Sequence, residues 1–78
     1  MTDEEKQQAL RVARADLQGA YDVFAMNASD RVALSQLSRE ESFPGLEEAW
    51  IASGTLVRKC GENLLEKARR VKELEETP

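Results

Sequence analysis

The chain of 78 residues contains no histidine and one cysteine, Cys60. Without histidine, no imidazole can act as a general base, and nucleophilic centres of the Ser-His-Asp or Cys-His type are excluded. A single cysteine cannot form a disulfide within the chain, and it leaves too few soft ligands for a structural zinc site. From these absences we expect a protein that is not an enzyme and that binds neither a metal ion nor an organic cofactor.

Long apolar runs are also missing. No segment approaches the roughly 20 apolar residues that a membrane span requires, so we expect no contact with a membrane. The sequence opens with Met-Thr-Asp-Glu-Glu-Lys, which is acidic where a secretory signal would be apolar. A lone thiol is typical of a reducing compartment, which favours the cytoplasm. The formal net charge of −4, from 15 acidic and 11 basic residues, argues against nucleic acid as the main partner.

The length predicts a single helical domain over residues 1–78. Its own core is expected to contribute only about 3–5 kcal/mol of net stability. Small domains supplement such a core with disulfides, metal ions or association, and the composition leaves only association. The expected partner is therefore another protein or a second copy of the chain.

Both prolines, Pro44 and Pro78, lie outside the long periodic segments. No run of β-branched residues alternates as a strand would, so we predict an all-α fold. The first helix is predicted over about residues 3–27, with Thr2 as its N-cap. One face of this helix is expected to pack in the core, through Leu10, Ala13, Leu17, Ala20, Tyr21 and Phe24.

The pattern changes near Asn27. A helix continued past this residue would place Arg31 and Ser35 on the apolar face and Leu37 on the opposite side. We therefore predict a break within residues 27–30 and a short second helix over about residues 30–41, with Ala33, Leu34 and Leu37 on its apolar side. The alternative is one kinked helix over residues 3–41.

The segment Ser42-Phe43-Pro44-Gly45 is the strongest turn signal in the chain, because the residue before a proline avoids the helical region. We expect Pro44 to open the next helix and Phe43 to fold back on it as a hydrophobic staple. That helix is predicted over about residues 44–76.

In the last helix Trp50, Val57, Leu64 and Val71 recur every seven residues. The same sector of the helix also holds Leu46, Ala49, Ser53, Leu56, Cys60, Gly61, Ala68 and Leu74. Packed against the first helix, this stripe predicts an antiparallel helical hairpin that can complete a bundle by association.

Two packed helices cover one side of each other, so apolar residues on the flanks are expected to stay partly exposed and to contact a partner. These flank residues are Val12, Val23, Met26, Ile51 and Leu65. Trp50 has two interpretations, because a tryptophan anchors either a core or an interface.

Gly54 and Gly61 each cost about 1 kcal/mol relative to alanine inside a helix, which requires a compensating contact. They allow tight packing of the two helices within the chain, or open a groove for a partner's helix, or let the helix kink. Cys60 is expected to be a small core residue, with a contact across a dimer axis as the alternative.

These features predict a non-enzymatic protein-protein interaction module, such as an adaptor, an assembly chaperone or a subunit of a small helical complex. One alternative is a regulatory inhibitor that docks through an acidic face formed by Asp3, Glu4, Glu5, Glu40, Glu41, Glu47 and Glu48. Another is an RNA-binding hairpin dimer that uses Arg58, Lys59, Arg69, Arg70 and Lys72. The RNA alternative is disfavoured because the same basic residues are predicted to form ion pairs along the helix. The predicted pairs are Glu66–Arg70, Arg69–Glu73 and Lys72–Glu76.

Overall fold

The computed structural model describes residues 1–40 and 44–78. Helix α1 covers Asp3–Glu40 and helix α2 covers Leu46–Glu76. Contacts of Arg14 with Glu75 and of Arg31 with Trp50 show that the helices run antiparallel along their length. The molecule is a rod of 58 × 14 × 14 Å, which confirms the predicted all-α hairpin.

Helix α1 begins as the sequence predicted. The Oγ1 atom of Thr2 accepts a hydrogen bond from the backbone N–H of Glu5 at 3.2 Å and donates one to the Glu5 carboxylate at 3.1 Å. The backbone oxygen of Thr2 accepts the first intrahelical bond, from Lys6. Thr2 is therefore the N-cap, and the acidic first turn lies at the positive end of the helix dipole.

The predicted break within residues 27–30 and the separate helix over residues 30–41 are wrong, because α1 continues without interruption to Glu40. The Nδ2 atom of Asn27 donates to the backbone oxygen of Val23 at 2.9 Å, so its amide supports the helix instead of ending it. Arg31 and Ser35 do lie on the packing face, where both are half-buried. The polar residues that suggested a break are part of the contact between the helices.

Helix α2 begins at Leu46, two residues later than predicted, because Pro44 and Gly45 form a turn. Gly45 precedes the helix with a φ of 85°, a left-handed conformation that disfavours other residues. Its backbone oxygen accepts the first helical bond, from Ala49 at 2.9 Å. The predicted end of a helix at Glu41, the rest of the turn at Ser42 and the staple at Phe43 lie outside the described residues.

The core is small and lies toward the chain ends. Among the described residues the buried apolar side chains are Leu10, Ala13, Ala20, Val71 and Leu74, and none is less than 2% exposed. The predicted core residues Tyr21 and Leu56 are 55% and 52% exposed, and Leu37 is also 52% exposed. All three lie at or beyond the edge of the stripe that one neighbouring helix can cover, so the prediction for them was wrong.

Substitution of two glycines by alanine tests their backbone environments, since Gly19 lies inside α1 and Gly45 lies in the turn before α2. A Cβ atom at Gly19 would meet no atom within 4 Å, so Gly19→Ala should raise the free energy of unfolding by about 0.5–1 kcal/mol through helix propensity. Gly45→Ala should lower it by about 1 kcal/mol, because alanine is strained at positive φ. Urea denaturation followed by circular dichroism measures both. Equal effects of the two substitutions would contradict the assignment of Gly45 to the turn.

Candidate protein-interaction surface

The contact between the helices is polar at Arg31, whose side chain is half-buried. Its Nη1 atom donates hydrogen bonds to the backbone oxygen of Trp50 at 2.8 Å and to Oγ of Ser53 at 3.0 Å. The Arg31 Cζ atom lies 3.6 Å from the centroid of the Trp50 ring. Such a cation–π contact contributes about 0.5–2 kcal/mol, depending on exposure. Arg31 therefore fastens α1 to the first turns of α2.

The two glycines of α2 make room for side chains of α1. A Cβ atom at Gly54 would overlap the Arg31 guanidinium, and one at Gly61 would meet the Phe24 ring at 3.4 Å. The space beside each glycine is thus filled by the chain itself. These contacts favour tight packing within the chain over a groove that receives a partner's helix.

Asn27 and Cys60 add a second polar contact between the helices. The Nδ2 atom of Asn27 lies 3.7 Å from Sγ of Cys60, a weak hydrogen bond to sulfur. Cys60 is a free thiol of intermediate exposure. It therefore packs between the helices, and the alternative of a contact across a dimer axis remains a prediction.

Apart from Met1, the large exposed apolar residues of the described chain fall on two opposite faces of the hairpin. At about 100° per residue, four exposed apolar side chains of α1 lie within about 60° of one another around the helix axis. They are Val12, Val23, Met26 and Leu37. Arg70 of α2 lines a shallow pocket with Val12, which places Leu56 on the same side. We call this the Val12 face, and it consists of Val12, Val23, Met26, Leu37 and Leu56.

The opposite flank of α1 carries Tyr21 and Val32, which lie within about 20° of each other around the helix. The exposed ion pair between Arg14 and Glu75 joins this flank to the same side of α2. We call this second surface the Tyr21 face, and it consists of Tyr21, Val32, Trp50, Ile51 and Leu65, with exposed fractions between 39% and 61%.

The structure thus separates the predicted flank residues. Val12, Val23 and Met26 lie on one face, and Ile51 and Leu65 lie on the other. Trp50 is 39% exposed and reaches the Tyr21 face while its ring stacks on Arg31. The sequence pattern did not predict Tyr21 and Val32 as residues of an exposed face. Their spacing of 11 residues, three turns of one continuous helix, was the available signal, but it has meaning only if α1 is unbroken.

The two faces differ in charge. Asp16 and Asp30 interrupt the α1 side of the Val12 face, and Lys59 and Arg70 lie on its α2 side. Within the described helices, the Tyr21 face carries two charged side chains of opposite sign, Arg58 and Glu62, between Ile51 and Leu65. Apolar surface of low charge is typical of the central part of an interface. The Tyr21 face is therefore the better candidate for binding a partner.

The acidic residues of the inhibitor alternative do not form one surface. Asp3, Glu4 and Glu5 lie at one end of the 58 Å rod, and Glu40, Glu47 and Glu48 lie at the other. Glu41 falls outside the described residues. No single partner surface of ordinary size would reach both acidic ends.

The basic residues of the RNA alternative are spread over about 160° of the circumference of α2, so they do not form one narrow stripe along a phosphate backbone. The ion pairs predicted within α2 are not formed. Among residues 1–40 and 44–78, the one ion pair within 4 Å joins Arg14 to Glu75 at 3.4 Å. Both of its side chains are more than half exposed, so it contributes at most about 1 kcal/mol.

Comparisons with protein-family models, with curated proteins and with solved structures find no match to this chain. In the described part of the chain, no helix is long and apolar enough to cross a membrane. Within the same residues, no three histidine, cysteine or carboxylate side chains are placed to hold a metal ion.

A double-mutant cycle tests the Arg31 contact. Gly61→Ala should stabilise the protein by about 0.5–1 kcal/mol, because its Cβ makes only ordinary contact with Phe24. Gly54→Ala should destabilise it by about 1 kcal/mol, because Arg31 must leave its acceptors and the Trp50 ring. In an Arg31→Ala background, Gly54→Ala should instead stabilise by about 1 kcal/mol. Additive effects in the cycle, measured by urea denaturation, would contradict the contact.

Proposed function

We propose that this chain is a non-enzymatic protein-protein interaction module that acts through the Tyr21 face. The observation that carries the proposal is the distribution of apolar side chains. Among residues 1–40 and 44–78, eleven large hydrophobic side chains are exposed and no side chain is less than 2% exposed. The hairpin resembles one half of a four-helix bundle, because it presents apolar surface that its own two helices cannot cover.

The shape of the molecule supports the same proposal. The radius of gyration is 17.7 Å, against about 11.5 Å for a compact domain of this length. The accessible surface is 6018 Å², about a quarter more than the roughly 4800 Å² expected for a compact monomer of this mass. The surplus of about 1200 Å² on one chain exceeds the roughly 800 Å² that each partner contributes to a standard interface.

The binding mode that fits this surface is helix packing. Tyr21 and Val32 on α1, with Ile51 and Leu65 on α2, form two parallel apolar rows on rigid helices. A partner that supplies one or two amphipathic helices would bury both rows. An adaptor, an assembly chaperone and a subunit of a small helical complex all use such a surface, and the cytoplasm is the compartment that fits its free thiol.

Two double substitutions compare the faces. Ile51→Ser with Leu65→Ser should abolish association and leave the helix content of the monomer nearly unchanged, since both side chains are more than half exposed. The matched control, Val12→Ser with Val23→Ser, removes similar apolar area from the Val12 face and should leave association intact. Light scattering on a size-exclusion column over a tenfold concentration range, with circular dichroism on the same samples, provides both readouts. Association should also persist at high salt, because apolar docking is little screened.

The same measurement on the unsubstituted chain can overturn the proposal. A stable helical oligomer, or a poorly helical chain that aggregates, supports it because each shows that the spare apolar surface must be covered. A monomer that is fully helical at every concentration and unfolds with more than about 5 kcal/mol contradicts it. Such a monomer would need no partner.

A further inference from the structure

We propose that the occupant of the Tyr21 face is a second copy of this chain, packed antiparallel about a two-fold axis that passes beside Arg58. This inference rests on the proposed function and names its partner. In the resulting four-helix bundle, α1 would contact α1 of the second copy and α2 would contact α2 of the second copy, with the turns at opposite ends. Three features of the Tyr21 face support this arrangement.

The first feature is the symmetry of α2 about Arg58. Ile51 and Leu65 lie seven residues before and after Arg58 on the same side of the helix. A two-fold axis that crosses α2 at Arg58 brings a residue that lies before Arg58 in one copy opposite the residue equally far after Arg58 in the other copy. It therefore places Ile51 of each copy against Leu65 of the other. Each contact occurs twice, as an isologous interface requires.

The second feature is that α1 has its own centre of symmetry at nearly the same height. Tyr21 and Val32 lie equally far from the midpoint between Ala25 and Ala28. Asn27 contacts Cys60, so this midpoint and Arg58 lie within about one helical turn of each other along the rod. One two-fold axis can therefore pair Tyr21 with Val32 and Ile51 with Leu65 at the same time.

Side-chain size favours the antiparallel arrangement over a parallel one. In the antiparallel pair, each end of the interface holds a layer of Tyr21 and Leu65 from one copy with Val32 and Ile51 from the other. A parallel pair would gather two tyrosines and two leucines in one layer and leave the smaller side chains together in the next. Mixed layers fill space more evenly, which close packing requires.

The third feature is charge complementarity at the ends of α2. Glu47 and Arg69 lie 11 residues on either side of Arg58, on the flank that carries Ile51 and Leu65. In the dimer, Glu47 of each copy lies opposite Arg69 of the other, which gives two attractive pairs. The axis also brings the two Arg58 side chains near each other, and Arg14 opposite Arg39 of the second copy. Arg58 lies at the middle of the α2 row and Arg14 and Arg39 lie at the ends of the α1 row, and the long arginine side chains carry these like charges past the apolar rows into solvent.

The area of the face agrees with that of a stable dimer. The stretch of α1 from Arg14 to Arg39 is about 38 Å long, and two helices side by side are about 20 Å wide. The projected face is therefore about 760 Å², close to the roughly 800 Å² that each partner contributes to a standard interface. A second copy supplies this area with matched length and matched apolar rows.

Reversal of the charges at Glu47 and Arg69, singly and together, tests the proposal. Glu47→Lys alone and Arg69→Glu alone should each weaken the dimer by about tenfold at low salt, since two attractive pairs become repulsive. An equimolar mixture of the two variants should recover the original affinity, because a mixed dimer has lysine opposite glutamate and glutamate opposite arginine. The variant that carries both substitutions should recover it as well. Sedimentation equilibrium measures all four samples.

Matched controls separate this proposal from the proposed function. Lys59→Glu reverses a charge on the Val12 face and should leave the dimer unchanged. If neither the mixture nor the double variant recovers affinity, or if the unsubstituted chain is a poorly helical monomer, the second copy is not the occupant. In the latter case the interaction module remains and its partner is a different protein.

A distance measurement tests the direction of packing. A spin label at Glu73→Cys, in a Cys60→Ser background, should give a label-to-label distance of about 45 Å in the antiparallel dimer, set by the rise of α2 on both sides of Arg58. Parallel copies would bring the two labels to the same height, far closer than this distance. A short distance from double electron–electron resonance would overturn the antiparallel dimer.

Discussion

Two helices packed side by side can shield only one stripe on each other, and this geometric limit governs the rest of the structure. It explains why the buried residues are few and small, with alanine at two of five positions. It also explains why large residues at the edges of the stripes, such as Tyr21 and Leu56, remain in solvent although the sequence places them beside the core. The interaction surface is thus a direct result of the two-helix architecture.

The polar contacts between the helices determine how they align. Arg31 donates to the backbone oxygen of Trp50 and to Oγ of Ser53, the one serine of α2, and the absence of a side chain at Gly54 leaves space for it. A shift of one helix by a turn would place the guanidinium against a side chain and leave its hydrogen bonds unmade. Half-buried polar groups of this kind contribute to register more than to stability. The apolar contacts near the chain ends then provide most of the free energy of packing.

The sequence predicted the fold class, the N-cap at Thr2 and all five of the buried apolar positions among the described residues, because helical periodicity and capping are local properties. It failed at Asn27 and Arg31 because a polar residue on an apolar stripe was read as the end of a helix. The position of Arg31 on the packing face is explained by its contacts with Ser53 and Gly54. These residues are distant in the chain, so no local pattern predicts the contacts. The division of the flank residues into two faces also depended on α1 being continuous.

The position of the core has a consequence for how the hairpin opens. The best-buried cluster joins Leu10 and Ala13 to Val71 and Leu74, so the tightest contacts connect residues near the two ends of the chain. Helical hairpins commonly fray at their open end, away from the turn. Here the turn-proximal half is held by half-exposed contacts around Trp50, and local opening is cheapest where packing is poorest. Amide protons of the helices around Arg31 and Trp50 are therefore expected to exchange with solvent sooner than those beside Leu10 and Val71.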